Sequence, residues 1–269
     1  MTPWLDLCRA AAADVERCLA ELPTRAERER PVGTGQGGDE TVAIDEAAEG
    51  AVVRRLEELH ETGVDFILVS EELGERRFGA DPRRRVVVDP IDGSVNAKRG
   101  IPFFSLSVAV AEGPALGDVV FGYVRDFGSG EEWTAQRGGG ASVNGQSLAG
   151  VGPKAEIELL SFEATMTHYV AGKAAAFLEL APRLRIMGSL ALSLCHLAAG
   201  RVDAVVSLKP IRSVDIAAGQ LLCREQGLTV ELPALSSFEA APLDVGSHSQ
   251  VVAARTPELC ARLAEALAG

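Results

Sequence analysis

The sequence predicts a mixed α/β fold whose two halves are built differently. Three observations carry this. Apolar residues recur at helical spacing near the start of the chain; short apolar or alternating runs joined by turn residues fill the middle; strand-like and helix-like segments alternate from about residue 159 onward. The composition agrees, since 269 residues with 47% hydrophobic and 24% charged side chains suit a globular chain with a large core.

Taken in order, residues 4–22 carry a helical stripe that stops at Pro23. Pro31 to Gly38 holds Gly33, Gly35, Gly37 and Gly38, a density that predicts a mobile loop and permits a lid. A second helix is expected from Val42 to His60, with Ala47, Ala48, Val52 and Leu56 on one face. Strands are expected at Asp65–Val69, Arg85–Val88, Phe103–Ala111, Gly117–Val124 and Glu132–Gln136, with turns at Arg137–Gly140 and Asn144-Gly145. The second half reads as strands at Leu159–Ser161, Leu184–Met187, Asp203–Leu208 and Val251–Ala254. Helices are expected at Ala171–Leu180, Ser189–Ala199, Val214–Gln226 and Pro257–Ala268. Residues 1–148 thus form an α+β half with a mostly antiparallel sheet, and residues 149–269 an α/β half with a parallel or mixed sheet. The halves meet near residues 148–156 in one globule, without repeats or low-complexity tracts.

Charge and composition exclude several function classes. Lys+Arg 26 against Asp+Glu 38 leaves a formal charge of −12, wrong for non-specific nucleic-acid binding. At 5% aromatic residues, a base-stacking platform is also unsupported. Cys8, Cys18, Cys195, Cys223 and Cys260 form no Cys-x-x-Cys pair and read as reduced thiols of a reducing compartment. His60, His168, His196 and His248 lack metal spacing, and Cys195-His196 sits in an apolar helical run that reads as packing. There is no signal-peptide pattern and no apolar run of the roughly 18–20 residues a membrane span needs. The expectation is a cytoplasmic protein with neither nucleic acid nor membrane as partner.

The chemistry concentrates in Val86-Val87-Val88-Asp89-Pro90-Ile91-Asp92-Gly93-Ser94. A hydrophobic strand ends in one aspartate, and a second follows three residues later across a proline. Strand ends are where sites are built, because side chains there leave the core from a rigid base. Two close carboxylates repel, so they need a cation; hard oxygen donors without His or Cys suit magnesium rather than zinc. Gly93-Ser94, opening a helix, would offer N–H groups to an anion. Glu71-Glu72 follows the strand ending at Val69, and Asp215 begins an apolar helix. Each alone is ordinary, a solvated turn or a helix cap. Together they place carboxylates after three successive strand ends.

These segments resemble the inositol monophosphatase family, magnesium-dependent, lithium-sensitive phosphatases that include the archaeal-type fructose bisphosphatases. The matching pieces are Glu71-Glu72, Asp89-Pro90-Ile91-Asp92-Gly93-Ser94 and Asp215-Ile216-Ala217-Ala218-Gly219. Arg137-Gly138-x-Gly140-Ala141 with Asn144-Gly145, and Arg185-x-x-Gly188-Ser189-x-Ala191, also match. The resemblance implies a layered α-β-α-β-α sandwich of the sugar phosphatase type, two or three magnesium ions with manganese as an alternative, and a homodimer. It implies that Glu71, Asp89 and the Ile91 carbonyl hold one metal; Asp89, Asp92 and Asp215 a second; and Glu72, through water, a third. It further implies that Gly93 and Ser94 bind phosphate, that the Ser94 hydroxyl and Glu71 orient a water activated by the metal, and that Asp45 supports that water. Gly188, Ser189, Lys209 and Arg212 would face a small phosphorylated polyol or sugar, such as inositol monophosphate or fructose 1,6-bisphosphate.

The sequence departs from the family pattern in places. Val214 replaces the usual Trp, and Ser94 a commoner threonine, keeping the hydroxyl. Leu208 stands where inositol-specific members carry an acidic acceptor for ring hydroxyls, which puts an inositol-only substrate in doubt. Lys209 and Arg212 could grip a second phosphate. The Ser-Glu-Glu form and the Leu184–Ser189 stretch are closer to archaeal-type dual phosphatases. A 3′-phosphoadenosine-type nucleotide phosphatase and a non-catalytic regulator on the same fold stay open as alternatives. An aspartyl-phosphate mechanism needs aspartates at i and i+2, and the spacing here is i and i+3.

Overall fold

Helix α1 (Pro3–Glu21) ends ahead of Pro23, and the capped single turn α2 (Arg25–Arg28) follows. The computed structural model describes residues 3–34, 40–150, 152, 154–164 and 166–269. Part of the expected glycine loop, residues 35–39, lies outside the described residues. Its flanks are not loop but the antiparallel pair β1 (Pro31–Thr34) and β2 (Glu40–Val42), leading into α3 (Ala43–Glu61).

Next come β3 (Phe66–Ser70), β4 (Gly74–Phe78), β5 (Arg85–Asp92), the short helix α4 (Ser94–Arg99), β6 (Ser105–Ala111), β7 (Val119–Asp126), β8 (Glu132–Gln136), β9 (Gly140–Val143) and β10 (Gln146–Ser147). The eight strands form one sheet in the order β10-β9-β8-β7-β6-β5-β3-β4. Every pairing is antiparallel except β3 with β5. The second half holds β11 (Leu159–Glu163), α5 (Thr167–Lys173), β12 (Arg183–Arg185), α6 (Leu190–Ala198), β13 (Ala204–Ser207), β14 (Ile211–Arg212), α7 (Ser213–Glu225), β15 (Thr229–Glu231), β16 (Ser247–Ser249), β17 (Val252–Ala254) and α8 (Pro257–Ala268). Its five-stranded sheet runs β12-β11-β13-β17-β15, parallel over the first three strands and antiparallel thereafter. The expected mixed sheet is therefore present.

Side chains alternate across each strand, so each sheet feeds two interfaces. Phe66, Leu68, Val86, Val88, Leu106 and Val108 pack with Cys8, Ala11 and Val15 of α1 and Val52 and Leu56 of α3. Ile67, Val69, Val87 and Ala109 turn the other way, toward α6 and α7. Val205 and Ala253 of the second sheet meet the same two helices from the far side. Leu160, Phe162, Val206 and Val252 then pack against Leu259, Leu263 and Leu267 of α8. The result is the layered α-β-α-β-α order. Small residues make the central layer thin: a Cβ on Gly219 would sit 2.8 Å from Leu194 Cβ. Gly219→Ala therefore forces α6 and α7 apart, an overpacking cost of about 1–3 kcal/mol.

Besides the β1–β2 pair, several element expectations need correction, and the short strand β15 was not expected at all. β4 was missed because Gly-Glu-Arg-Arg-Phe is an edge strand with a charged exposed centre and no apolar period. The strand expected through Met187 ends at Arg185, and Ile186 is exposed. The helix expected at Ala171–Leu180 is instead α5 followed by a 3₁₀ turn, Ala174–Phe177.

Candidate active site

The candidate site lies where β3, β5 and the start of α7 end together. Pro90 has no N–H to give the ladder, and the β5–β6 register shifts there: Asp89 faces Ser107 and Asp92 faces Ser105. Residues three apart on a regular strand point to opposite faces. The extra residue in this bulge removes that opposition and lets both aspartates serve one site. Both are buried.

Each carboxylate is held by a definite partner. Asp89 Oδ1 accepts the Ile91 N–H at 3.0 Å. Asp92 Oδ2 accepts the Ser189 hydroxyl at 2.6 Å and the Ala191 N–H at 2.7 Å. Asp215 Oδ2 accepts the Arg212 N–H at 2.8 Å, so it also caps α7. The Arg212 guanidinium donates to Glu71 and lies 3.7 Å from Asp215 Oδ1. Glu72 accepts from the Thr41 hydroxyl. Asp45, buried on the first turn of α3, lies 3.5 Å from Lys98 Nζ, while its Oδ1 is buried without a partner. Asp45, Glu71, Glu72, Asp89, Pro90, Ile91 and Ser94 line one cavity.

The electrostatics follow from crowding negative charge in a dry place. Burial pushes the Asp89 carboxyl well above its usual range, and Glu71, Asp92 and Asp215 push it further. Burial raises Glu71 to about 7 against the pull of Arg212. Asp92 is likewise pushed up to about 7, by burial first and against its Ser189 bond. Asp45 is raised by burial, with Lys98 opposing. Burial opposes the charge on Arg212, yet Asp215 and Glu71 hold it strongly protonated. A set of carboxylates that cannot all ionise unaided is a set built for cations.

Among the described residues, no group of three or more His, Cys, Asp or Glu side chains is arranged so as to hold a metal ion as it stands. Arg212 engages Glu71, and Asp92 is turned to Ser189. The donor set nonetheless fits hard divalent cations: carboxylate oxygens, one orphaned buried acceptor on Asp45, and the Ile91 carbonyl. That carbonyl accepts the Ser94 hydroxyl at 3.0 Å and keeps its second lone pair. Gly93 caps α4 at φ 97°, and a Cβ there would lie 3.0 Å from the Gly188 carbonyl oxygen. Only glycine suits that conformation and closeness. Gly93-Ser94 thus open a helix beside the carboxylates, as expected from sequence.

A family model described as the inositol monophosphatase family matches residues 4–268. The chain belongs to the inositol monophosphatase family. It is 32% identical to the fructose-1,6-bisphosphatase/inositol-1-monophosphatase of Methanothermobacter thermautotrophicus, over 98% of this chain and 96% of that protein. The protein of the same description from Thermococcus kodakarensis is 31% identical, over 98% and 97%. The crystal structure of an inositol monophosphatase–fructose 1,6-bisphosphatase superposes with TM-score 0.84 at 25% identity, covering 98% of this chain and all 100% of that one. A Pyrococcus horikoshii protein with similarities to inositol-1 monophosphatase gives 0.81 at 26%, covering 98% and 97%. No helix of the described residues is long and apolar enough to cross a membrane.

The Glu71-Glu72, Asp89–Ser94 and Asp215 segments come together, whereas Arg137 to Gly140 lie against Gly117, Val119 and Glu225, and Arg185 donates to the neighbouring Leu184 carbonyl. Ser189 is buried, caps α6 and bonds Asp92. Leu208 is buried in the core beside α8 rather than at the rim. Lys209 is half-buried and forms no ion pair among the described residues. Sequence reasoning missed several supporting residues, among them Thr41 on Glu72, Lys98 on Asp45, Asn96 on the Met187 carbonyl, and Glu49. Glu49 accepts from Ser70 and from the Leu73 N–H, bracketing Glu71-Glu72. Asn96 and Lys98 follow the Asp89–Ser94 motif on α4, and Thr41 and Glu49 lie on distant elements, but no local pattern distinguishes any of them from solvated polar residues.

Proposed function

We propose that this chain is a magnesium-dependent phosphoric monoester hydrolase acting on a small sugar or polyol phosphate, with water as the phosphoryl acceptor. The carrying observation is the convergence of Glu71, Asp92 and Asp215 on buried Asp89, whose carboxyl is raised well above its usual range by burial first and then by those three neighbours. Glu71, Asp89 and the Ile91 carbonyl would hold one cation; Asp89, Asp92 and Asp215 a second; Glu72 a third through water. Manganese fits the same donors. Bound cations would neutralise the transferring phosphoryl group and acidify water, which a reaction this slow without help requires.

The chain's own groups do the positioning. Gly93 and Ser94, at the start of α4, would orient the phosphate. Asp45 lines the same cavity as Glu71 and Ser94, and its carboxylate would accept a hydrogen bond from the attacking water. Lys98 keeps Asp45 from carrying an isolated charge.

For the substrate we favour a sugar bisphosphate alongside inositol monophosphate. Leu208, buried in the core, offers ring hydroxyls nothing, and Lys209, shortly before Arg212, would supply positive charge for a second phosphate, since the Arg212 guanidinium is already engaged by Glu71 and Asp215. Gly188 would border the substrate, and Ser189 would act by holding Asp92. We also propose a homodimer; exposed Val95, Ile101 and Ile186 support it, near one another because Asn96 bonds the Met187 carbonyl. The five free cysteines suit a cytoplasmic setting.

The test is phosphate release from fructose 1,6-bisphosphate, inositol monophosphate, a nucleotide bisphosphate and histidinol phosphate, with and without magnesium. The expected result is magnesium-dependent turnover of the first two. A charge-assisted contact of about 1.5–3 kcal/mol means that Lys209→Ala raises KM for the bisphosphate about tenfold or more, and far less for the monophosphate. Turnover of the nucleotide alone would replace the substrate assignment.

A further inference from the structure

We infer that Glu163, at the end of β11, is a positioning residue for the site: it fixes the Met187–Ser189 turn, and through that turn the carboxylate of Asp92. The inference rests on the reading of Asp92 as a cation ligand. Glu163 is 7% exposed, and both its oxygens accept hydrogen bonds. Its Oε1 accepts the Ser161 hydroxyl at 2.9 Å and the Ser193 hydroxyl at 2.7 Å, and the two hydroxyls are 3.0 Å apart. Its Oε2 accepts the Gly188 N–H at 2.9 Å.

The turn so held reaches the site in two ways. Ser189, its last residue, and Ala191 just beyond it donate to Asp92 Oδ2 and leave Oδ1 as the oxygen turned to other uses. The Gly188 carbonyl packs 3.0 Å from where a Gly93 Cβ would be, so the turn also walls the phosphate end. From the opposite side, Asn96 Nδ2 donates to the Met187 carbonyl at 2.7 Å and to the Phe103 carbonyl at 2.8 Å. The turn is therefore pinned between Glu163 of one sheet and Asn96 beside the other. Loosening Glu163 would move Asp92 and Gly93 together, and partners that orient a ligating carboxylate typically matter 10–100-fold in metal affinity or rate.

The chemistry predicts which substitutions are tolerated. Glu163→Gln preserves the network, because an amide oxygen can accept the Gly188 N–H while its nitrogen donates to the serine hydroxyls. Glu163→Asp keeps the charge but is one methylene too short to span both groups. Glu163→Leu leaves a buried N–H and two hydroxyls without an acceptor.

The experiment measures thermal unfolding, manganese binding by calorimetry, and kcat and KM for fructose 1,6-bisphosphate, with Asp92→Asn as control. Glu163→Gln is expected within about threefold of wild type throughout. Glu163→Asp, still folding cooperatively, is expected to weaken the manganese sites that Asp92→Asn abolishes by about tenfold or more, with kcat falling more than KM rises. Should Glu163→Leu not fold, Glu163→Asp alone decides. A folded Glu163→Asp variant that only melts earlier, with wild-type manganese affinity and kcat, overturns the inference. Unchanged manganese binding in Asp92→Asn would instead overturn the cation-site reading beneath it.

Discussion

Arg212, preceding α7, donates its guanidinium to Glu71 at the end of β3, 141 residues earlier in the chain. The same group stands 3.7 Å from Asp215. One side chain thus ties the third layer of the fold to the first sheet, at the point where negative charge is densest. With side-chain exposures of 16% and 19%, the pair is largely shielded from solvent.

Removing Arg212 leaves Glu71 and Asp215 without their counter-charge. In chelator, Arg212→Ala is expected to lower Tm, the loss being about 1–3 kcal/mol once the value for fully buried pairs is discounted for partial exposure. Arg212→Lys recovers only part, since ammonium lacks the planar fork. Scanning calorimetry in chelator checks this; an unchanged Tm in Arg212→Ala would show that the contact contributes nothing.

Most of the site was legible because its residues sit in short, contiguous motifs at strand ends. Asp89 and Asp92 announce themselves as charges terminating an apolar run. Glu163 carries the same signature, ending Leu-Leu-Ser-Phe-Glu, and could have been found by it. Arg212's attachment to Glu71 could not, because it depends on how α7 docks across two sheets. The layered fold was legible from periodicity wherever burial is one-sided. It missed β4 and misplaced the ends of β12, both edge strands with exposed arginines that erase the apolar alternation.

Asp89 gives a test by sign. Its folded carboxyl is raised by burial and by Glu71, Asp92 and Asp215, so the stability it contributes is present in acid and lost as pH rises through the raised value. Glu71 and Asp92, each near 7, act in the same direction. The chelated protein is therefore expected to melt higher at pH 5 than at pH 8. Asp89→Asn should raise Tm at pH 8 and change it little at pH 5. Melting curves in chelator at both values decide; a lower Tm for Asp89→Asn at pH 8 would contradict the repulsion.

His196 works in the opposite direction. Burial and Arg201 hold its imidazole below the usual 6.5, where it stacks on Phe103 with ring centroids 5.7 Å apart. The unfolded chain binds that proton more readily, so this contribution is present above pH 6.5 and is lost as pH falls through the lowered value. With saturating magnesium, His196→Gln is expected to flatten the loss of stability between pH 7 and pH 5. Denaturant unfolding across that range checks it, and an equal slope in both proteins would remove His196 from the account.

The most direct measurement is phosphate release from fructose 1,6-bisphosphate by protein stripped with chelator, dialysed and titrated back with magnesium, wild type beside Asp89→Asn. The expected result is no turnover in the stripped enzyme, saturable recovery in the wild type, and a loss of about a hundredfold or more in Asp89→Asn at every magnesium concentration. Full turnover by the stripped wild type, or near-wild-type turnover by Asp89→Asn, would contradict a cation-dependent site built on Asp89.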